Sequence, residues 1–276
     1  MPAPYRVLLP VGPAVEDAEA DAAALVRRAA TVQALLAPTA SQGPEGDAAR
    51  LVFGMWSLEL GIARRDSGRA GDAVLHLEQA ATIVEIVVGH RPGEVEALRV
   101  ASRAVTALAE LLLVEGRPDE AWTWASRAVE VPGRLAEVQP EDPEGPLLAS
   151  RLCATLASLS PRKRGPAPQL WVEGQPAEPF HGLLTLAVQH AADAVRRMPT
   201  DLAARHQLVQ EAWNLAVHLS TRPGLPGFDA DHYAALALDA AEPLTTVEPY
   251  ATACTPALTW CHSRLPGWRA GASGTF

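Results

Sequence analysis

The stretch LGIARRDSGRAGDA at residues 60–73 returns as LAELLLVEGRPDEA at residues 108–121, and the two read together decide the fold. Leu60-Gly61 becomes Leu108-Ala109, Gly68-Arg69 becomes Gly116-Arg117, and Ala73 becomes Ala121, each 48 positions on. The same interval carries Ala80 to Ala128 and Pro92 to Pro140, reaches back to Pro44 and forward to Leu156-Ala157. The register then slips once. Leu215-Ala216 lies 59 beyond Leu156, and Pro199 lies 59 beyond Pro140, which places 11 extra residues in the Pro-, Gly- and Gln-rich segment 161–179. A final interval of 50 takes Ala187 to Ala237 and Pro199 to Pro249. Residues that hold one phase for so long occupy equivalent places in successive units.

Each unit has one physical logic. A first helix (A) carries Leu followed by a small residue, where its partner must approach closely. Gly68 or Gly116 stops it. A second helix (B) starts near Asp72, or near Pro118-Asp119, where Asp suits a cap and Pro suits a first turn. Its alanines at 73 and 80, or 121 and 128, are seven apart and share a face. The predicted helices are a lone B-type helix at 16–37, pairs at 47–67 with 70–89, 94–115 with 118–137, 145–160 with 180–198 and 201–220 with 230–247, and a closing helix at 250–264. Ile83, Ile86 and Val87 are read as core on the B side. Pro132 and Pro243 fall inside two of these spans, so those helices kink or end early. No strand is expected; Tyr5–Val11 is an extended segment broken by Pro10. The domain runs over 16–264, in units at 47–92, 94–140, 145–199 and 201–249, between an N-terminal extension (1–15) and a C-terminal tail (265–276).

This pattern resembles the tetratricopeptide repeat family, in the long-helix form common in actinobacterial proteins. The residues that carry the likeness are Leu60-Gly61, Gly68, Ala73 and Ala80, with their counterparts Leu108-Ala109, Gly116, Ala121 and Ala128. Unit three departs from it, with Arg164 in place of the turn Gly and Phe180 where Ala is expected. The resemblance implies an all-α fold, a right-handed superhelix of stacked antiparallel helix pairs. A compact bundle containing similar hairpins is the alternative, and a constant period favours stacking.

Composition agrees and narrows the function. Hydrophobic residues are 48% of the 276, much of that alanine, which suits closely packed helices. The net charge of −9, with Arg162-Lys163-Arg164 as the one dense basic run, disfavours nucleic acid. Lys163 is the lone lysine among 23 basic residues, the bias of a GC-rich, actinobacterium-like genome. Cys153, Cys254 and Cys261 form no C-x-x-C and read as small buried residues of a reduced cytoplasm. No leader-like N-terminus and no apolar run of membrane-spanning length is present, so a cytoplasmic protein without membrane contact is expected.

No metalloprotease, P-loop, nucleophile-elbow or dinucleotide motif occurs. The eight histidines are scattered, and the acidic clusters read as solvated faces, so neither a catalytic residue, a metal site nor a cofactor is expected. In the family the A helices line the concave, ligand-holding face. Carried onto this register, the resemblance gives ladders Met55, Arg103, Arg151, Gln210; then Leu58, Thr106, Ala154, Trp213; then Ile62, Glu110, Ser158, Val217, with Arg65 beginning a fourth. Arg103 and Arg151, with Arg65 nearby, are suited to an acidic segment of a protein or peptide partner through bidentate contacts, with Trp213 as an aromatic anchor. The plainer reading makes the arginines solvated and Trp213 core. Of Trp122 and Trp124, two apart on helix B, one is expected inside and one partly exposed, with core packing of both the favoured alternative. Trp171, in the apolar triplet Leu170-Trp171-Val172 of the insertion, is read as a lid or partner contact. The family's clamp for acidic peptide termini is not reproduced: Leu58, Ile62 and Ala107 stand where it needs Lys and Asn.

The leading expectation is therefore a non-catalytic adaptor or scaffold that binds a protein or peptide along helix A, with self-association through its end helices as a further prospect. The rivals are a regulator responding to a small molecule or short peptide, and an enzyme on a helical scaffold.

Overall fold

Between α1 (Pro44–Asp66) and α2 (Ala70–His90) the chain reverses within three residues, and between α3 (Val95–Val114) and α4 (Pro118–Ala128) it does so again in the same way. Gly68 and Gly116 both have φ of 73°, a left-handed conformation that costs little only without a Cβ. Around each, two hydrogen bonds close the helix end. Gly68 N donates to Arg65 O at 2.9 Å and Arg69 N to Arg64 O at 2.8 Å. Gly116 N donates to Leu113 O at 3.2 Å and Arg117 N to Leu112 O at 2.8 Å. This is the Schellman arrangement, made twice at the predicted interval. Gly68→Ala and Gly116→Ala are each expected to lower stability by about 1–2 kcal/mol. Chemical denaturation of the two variants measures this, and a neutral outcome at either site would break the equivalence.

The computed structural model describes residues 43–159, 170–172, 175–177, 179–221 and 229–267. The expected helix at 16–37, the segment 5–11, residues 160–169 of the insertion and most of the tail lie outside the described residues. The chain divides into two units, here the described residues 43–139 and 140–267. Both are α-helical, the second with one short hairpin.

In the N-terminal unit, α1 packs on α2, α2 on α3, and α3 on α4 and α5 (Val131–Val138), while α1 also meets α3. Contacts run to the next helix and the next but one, as stacked hairpins require. The α1–α2 crossing is close because α1 presents glycine there. A Cβ on Gly61 would come within 2.7 Å of Leu77 Cγ, and one on Gly54 within 2.1 Å of Val84 Cγ2. The buried stripe of α2 is Ala73, Leu77, Ala80, Ala81, Val84, Val87 and Val88. That stripe corrects one expectation. Ile86 is exposed and Ile83 half-buried, since both point off the line that the alanines set. The break expected at Pro132 is present, because α4 ends at Ala128 and α5 begins with Pro132 in its first turn. Trp122 and Trp124 are both half-buried, so neither is core; Ala121, Ala125 and Ala128 form the inward face between them.

In the C-terminal unit, α6 (Glu144–Leu159) packs on α7 (Pro179–Arg197), α7 on α8 (Leu202–Ser220), and α8 on α9 (Ala230–Ala241). The helix-A partners α6 and α8 also meet, as do α8 and the closing α10 (Tyr250–Arg264). Asp201 caps α8, its carboxylate accepting from Ala203 N at 2.8 Å and Ala204 N at 3.3 Å. As Pro243 dictates, α9 stops short of 247 and passes into a 3-10 turn, Glu242–Leu244. The insertion departs from the loop expected. Leu170–Val172 (β1) pairs antiparallel with Gln175–Ala177 (β2), and β-branched and aromatic residues such as Trp171 and Val172 favour that state.

The repeat register meets its structural counterpart in the core. Leu60, Leu108, Leu156 and Leu215 are each at most 1% exposed, and the small residues that follow them, Gly61, Ala109, Ala157 and Ala216, are buried as well.

Candidate functional site

The sequence nominated the A helices, so the question is what each presents. In the N-terminal unit, Met55 of α1 is 39% exposed, and its repeat counterpart Arg103 on α3 is also exposed. Val52, one helical turn before Met55, adds a second exposed apolar side chain. The helices α1 and α3 that carry them pack together. Arg65 is half-buried and held by its own neighbour, with Nε donating to Asp66 Oδ1 at 2.9 Å.

Thr106 and Glu110 stand differently from the expected groove row. They are 1% and 4% exposed, inside a run from Ala104 to Leu112 that is buried throughout. A helix with every face covered cannot turn one of them to a ligand without displacing its neighbours. The Thr106 hydroxyl finds no hydrogen-bond partner among the described residues.

In the C-terminal unit the nominated residues belong to a polar interior. Gln207, Gln210, Glu211, Asn214 and His218 recur at three- and four-residue spacing and so line one side of α8. Gln210, Glu211 and His218 are buried. Both oxygens of Glu211 accept side-chain amides, from Gln207 Nε2 at 2.9 Å and from Asn214 Nδ2 at 3.4 Å. Gln210 Nε2 in turn donates to Asn214 Oδ1 at 3.3 Å. Burying a polar group costs free energy unless it is hydrogen-bonded, and the amides supply what the carboxylate needs.

At the far end of this stripe the ring of His218 meets Phe180 edge-on, with centroids 4.6 Å apart, and stacks near His181 of α7 at 5.9 Å. Phe180, the residue that departs from the repeat, is buried and fills its alanine place with a ring against this histidine. Thr185 donates to the His181 carbonyl at 3.0 Å. Trp213 is half-buried, with an indole Nε1 that is enclosed and has no hydrogen-bond partner among the described residues. Arg151 is half-buried. The backbone of Trp171 pairs with Pro176; the lid contact expected of its side chain lies outside the described residues.

The site's chemistry does not favour nucleophilic attack. Burial, followed by the negative charge of Glu211, pushes the Cys153 thiol up to about 12, so it stays protonated near neutrality. Burial likewise raises Cys254 to about 11 and Cys261 to about 12. All three are free and buried, as the sequence led us to expect. Among the described residues no three His, Cys, Asp or Glu side chains converge as a metal site, and no helix is long and apolar enough to cross a membrane.

The polar stripe of α8 was within reach of sequence reading, since its spacing is plain. In the sequence His218 counts as one of eight scattered histidines, whereas on α8 it continues the row of residues 207, 211 and 214. No family model and no curated protein matches the chain.

Proposed function

We propose that this protein is a non-catalytic adaptor, a tetratricopeptide-like array of stacked helix pairs that holds a protein or peptide partner along its A helices. One observation carries the reading: Met55 and Arg103, equivalent positions on packed neighbouring A helices, are both exposed. An exposed apolar side chain on one helix and an exposed guanidinium on the helix packed against it suit a partner segment with carboxylates flanking apolar residues. Arg151 holds the same ladder position in the C-terminal unit, and Trp213 stands one row on; both are half-buried. The duplicated Schellman turns support the reading further, because they hold the A helices in register.

The test compares wild type with an Arg103→Glu/Arg151→Glu double variant as bait in the lysate of the encoding organism, with quantitative mass spectrometry. At least a tenfold loss of one specific protein, with helicity by circular dichroism unchanged, is the expected result. Equal recovery by both baits would remove the helix-A surface from the account.

A further inference from the structure

Each unit carries a cleft at the same place in the repeat, between consecutive B helices and over the A helix that separates them. In the N-terminal unit it lies between α2 and α4–α5 over α3, with Ala81, Val88, Ala101 and Val131 in its lining. An ion pair crosses it. Arg127 of α4 donates from Nε to Glu85 of α2 at 3.0 Å and from Nη2 to the second Glu85 oxygen, and its guanidinium lies 5.7 Å from the Trp124 ring centre. Only about 40 Å³ of space is left.

In the C-terminal unit the cleft lies between α7 and α9 over α8, and it holds about 380 Å³. Carried along the repeat register, Val88 corresponds to Val195, Ala101 to Leu208 and Val131 to Ala240, all of them in its lining. The bridging pair Glu85 and Arg127 corresponds to Ala192 and Leu236, which cannot reach across. Loss of the bridge leaves open here the space that is closed in the N-terminal unit. A volume of this order is that of a small-ligand site.

Charged groups stand on both walls. Arg205 donates from Nε to the Pro199 carbonyl at 2.6 Å, which fixes the guanidinium plane. Among the described residues its two Nη atoms have no partner. Arg196 lines the α7 wall, paired once with Asp193 at 3.3 Å. Opposite stand Asp239 and Glu242, and among the described residues no ion pair joins Glu242 to either arginine. An oriented cation and an anion that face one cleft without meeting are suited to a molecule carrying both complements.

We propose that this cleft binds a small zwitterion with an aliphatic body, of amino-acid or dipeptide size. Its carboxylate sits on the Arg205 fork, its ammonium group lies against Glu242 and Asp239, and its apolar part covers Val195, Leu208 and Ala240. The site is separate from the helix-A surface, so Arg103→Glu should leave it unchanged.

Isothermal titration of the full chain with leucyl-leucine tests the assignment, beside 4-methylpentanoate and 3-methylbutylamine as single-charge probes. The expected result is binding at a Kd of ~1 mM or tighter, with each single-charge probe at least tenfold weaker. Arg205→Gln and Glu242→Gln should each weaken leucyl-leucine binding at least tenfold. Glu242 is exposed, so its variant tests the site without touching the fold. No binding at ~10 mM, equal binding of 4-methylpentanoate, or unchanged binding in Glu242→Gln would each overturn the proposal.

Discussion

Replacing Leu108 by alanine is expected to cost about 2–5 kcal/mol, the range for a large side chain deleted from a core that cannot collapse around the void. Leu108 is fully buried on α3, which packs against α1, α2, α4 and α5, so four helices would have to move together to fill the space. Leu108→Met keeps the volume and should cost less than about 1.5 kcal/mol. Urea denaturation followed by circular dichroism measures both. A loss below about 1 kcal/mol for the alanine variant would mean that α3 is not the central helix of its unit.

Adding a single methyl group should also destabilise, at Gly54. The new Cβ of Gly54→Ala would stand 2.1 Å from Val84 Cγ2 and 3.3 Å from Ile83 Cγ2, both β-branched side chains with little freedom in a helix. Overpacking of this kind costs about 1–3 kcal/mol, more than the ~1 kcal/mol that alanine gains over glycine in a helix interior. In a Val84→Ala background the obstructing methyl is gone, and the same substitution should become neutral or stabilising. A Gly54→Ala cost that is the same in the wild-type and Val84→Ala backgrounds would show that the α1–α2 crossing is not held at this distance.

The first prediction rests on a position that the repeat pointed out; the second, at Gly54, rests on the packing of α1 against α2. Leu108 and Gly61 were legible because a core residue and a close-approach residue must recur together when hairpins stack. The caps expected near Asp72 and Asp119 fall instead to Arg69 and Arg117, with both aspartates inside the first turn. Helix ends were otherwise legible for a similar reason: Gly68 and Gly116 need the left-handed conformation, and Pro132 and Pro243 interrupt their helices. All of these are local effects of one residue on its own backbone.

What depends on neighbours in space was harder to read. Thr106 and Glu110 have the polarity of surface residues and ladder positions shared with half-buried ones such as Trp213 and Ser158, yet α3 is covered on all sides there. Ile86 fits a helical period with Ile83 but not the phase of Ala73, Leu77 and Ala80, which sets the buried face. The amide–carboxylate row of α8 looks from sequence like a solvated stripe, and only packing turns it into an interior network. The C-terminal cleft arises from an absence, Ala192 and Leu236 where the other unit has a charged bridge, and comparing units residue by residue is what exposes it.

The central claim is that residues 48 apart occupy equivalent places in successive hairpins. A crystal structure of the full chain tests it most directly, by superposing the backbone of residues 54–80 on that of residues 102–128. The account predicts agreement within ~2 Å in Cα positions, the scale of ordinary scatter between like elements, with positive φ at both Gly68 and Gly116. Different turns at the two glycines, or Leu60 and Leu108 facing unlike surroundings, would contradict it.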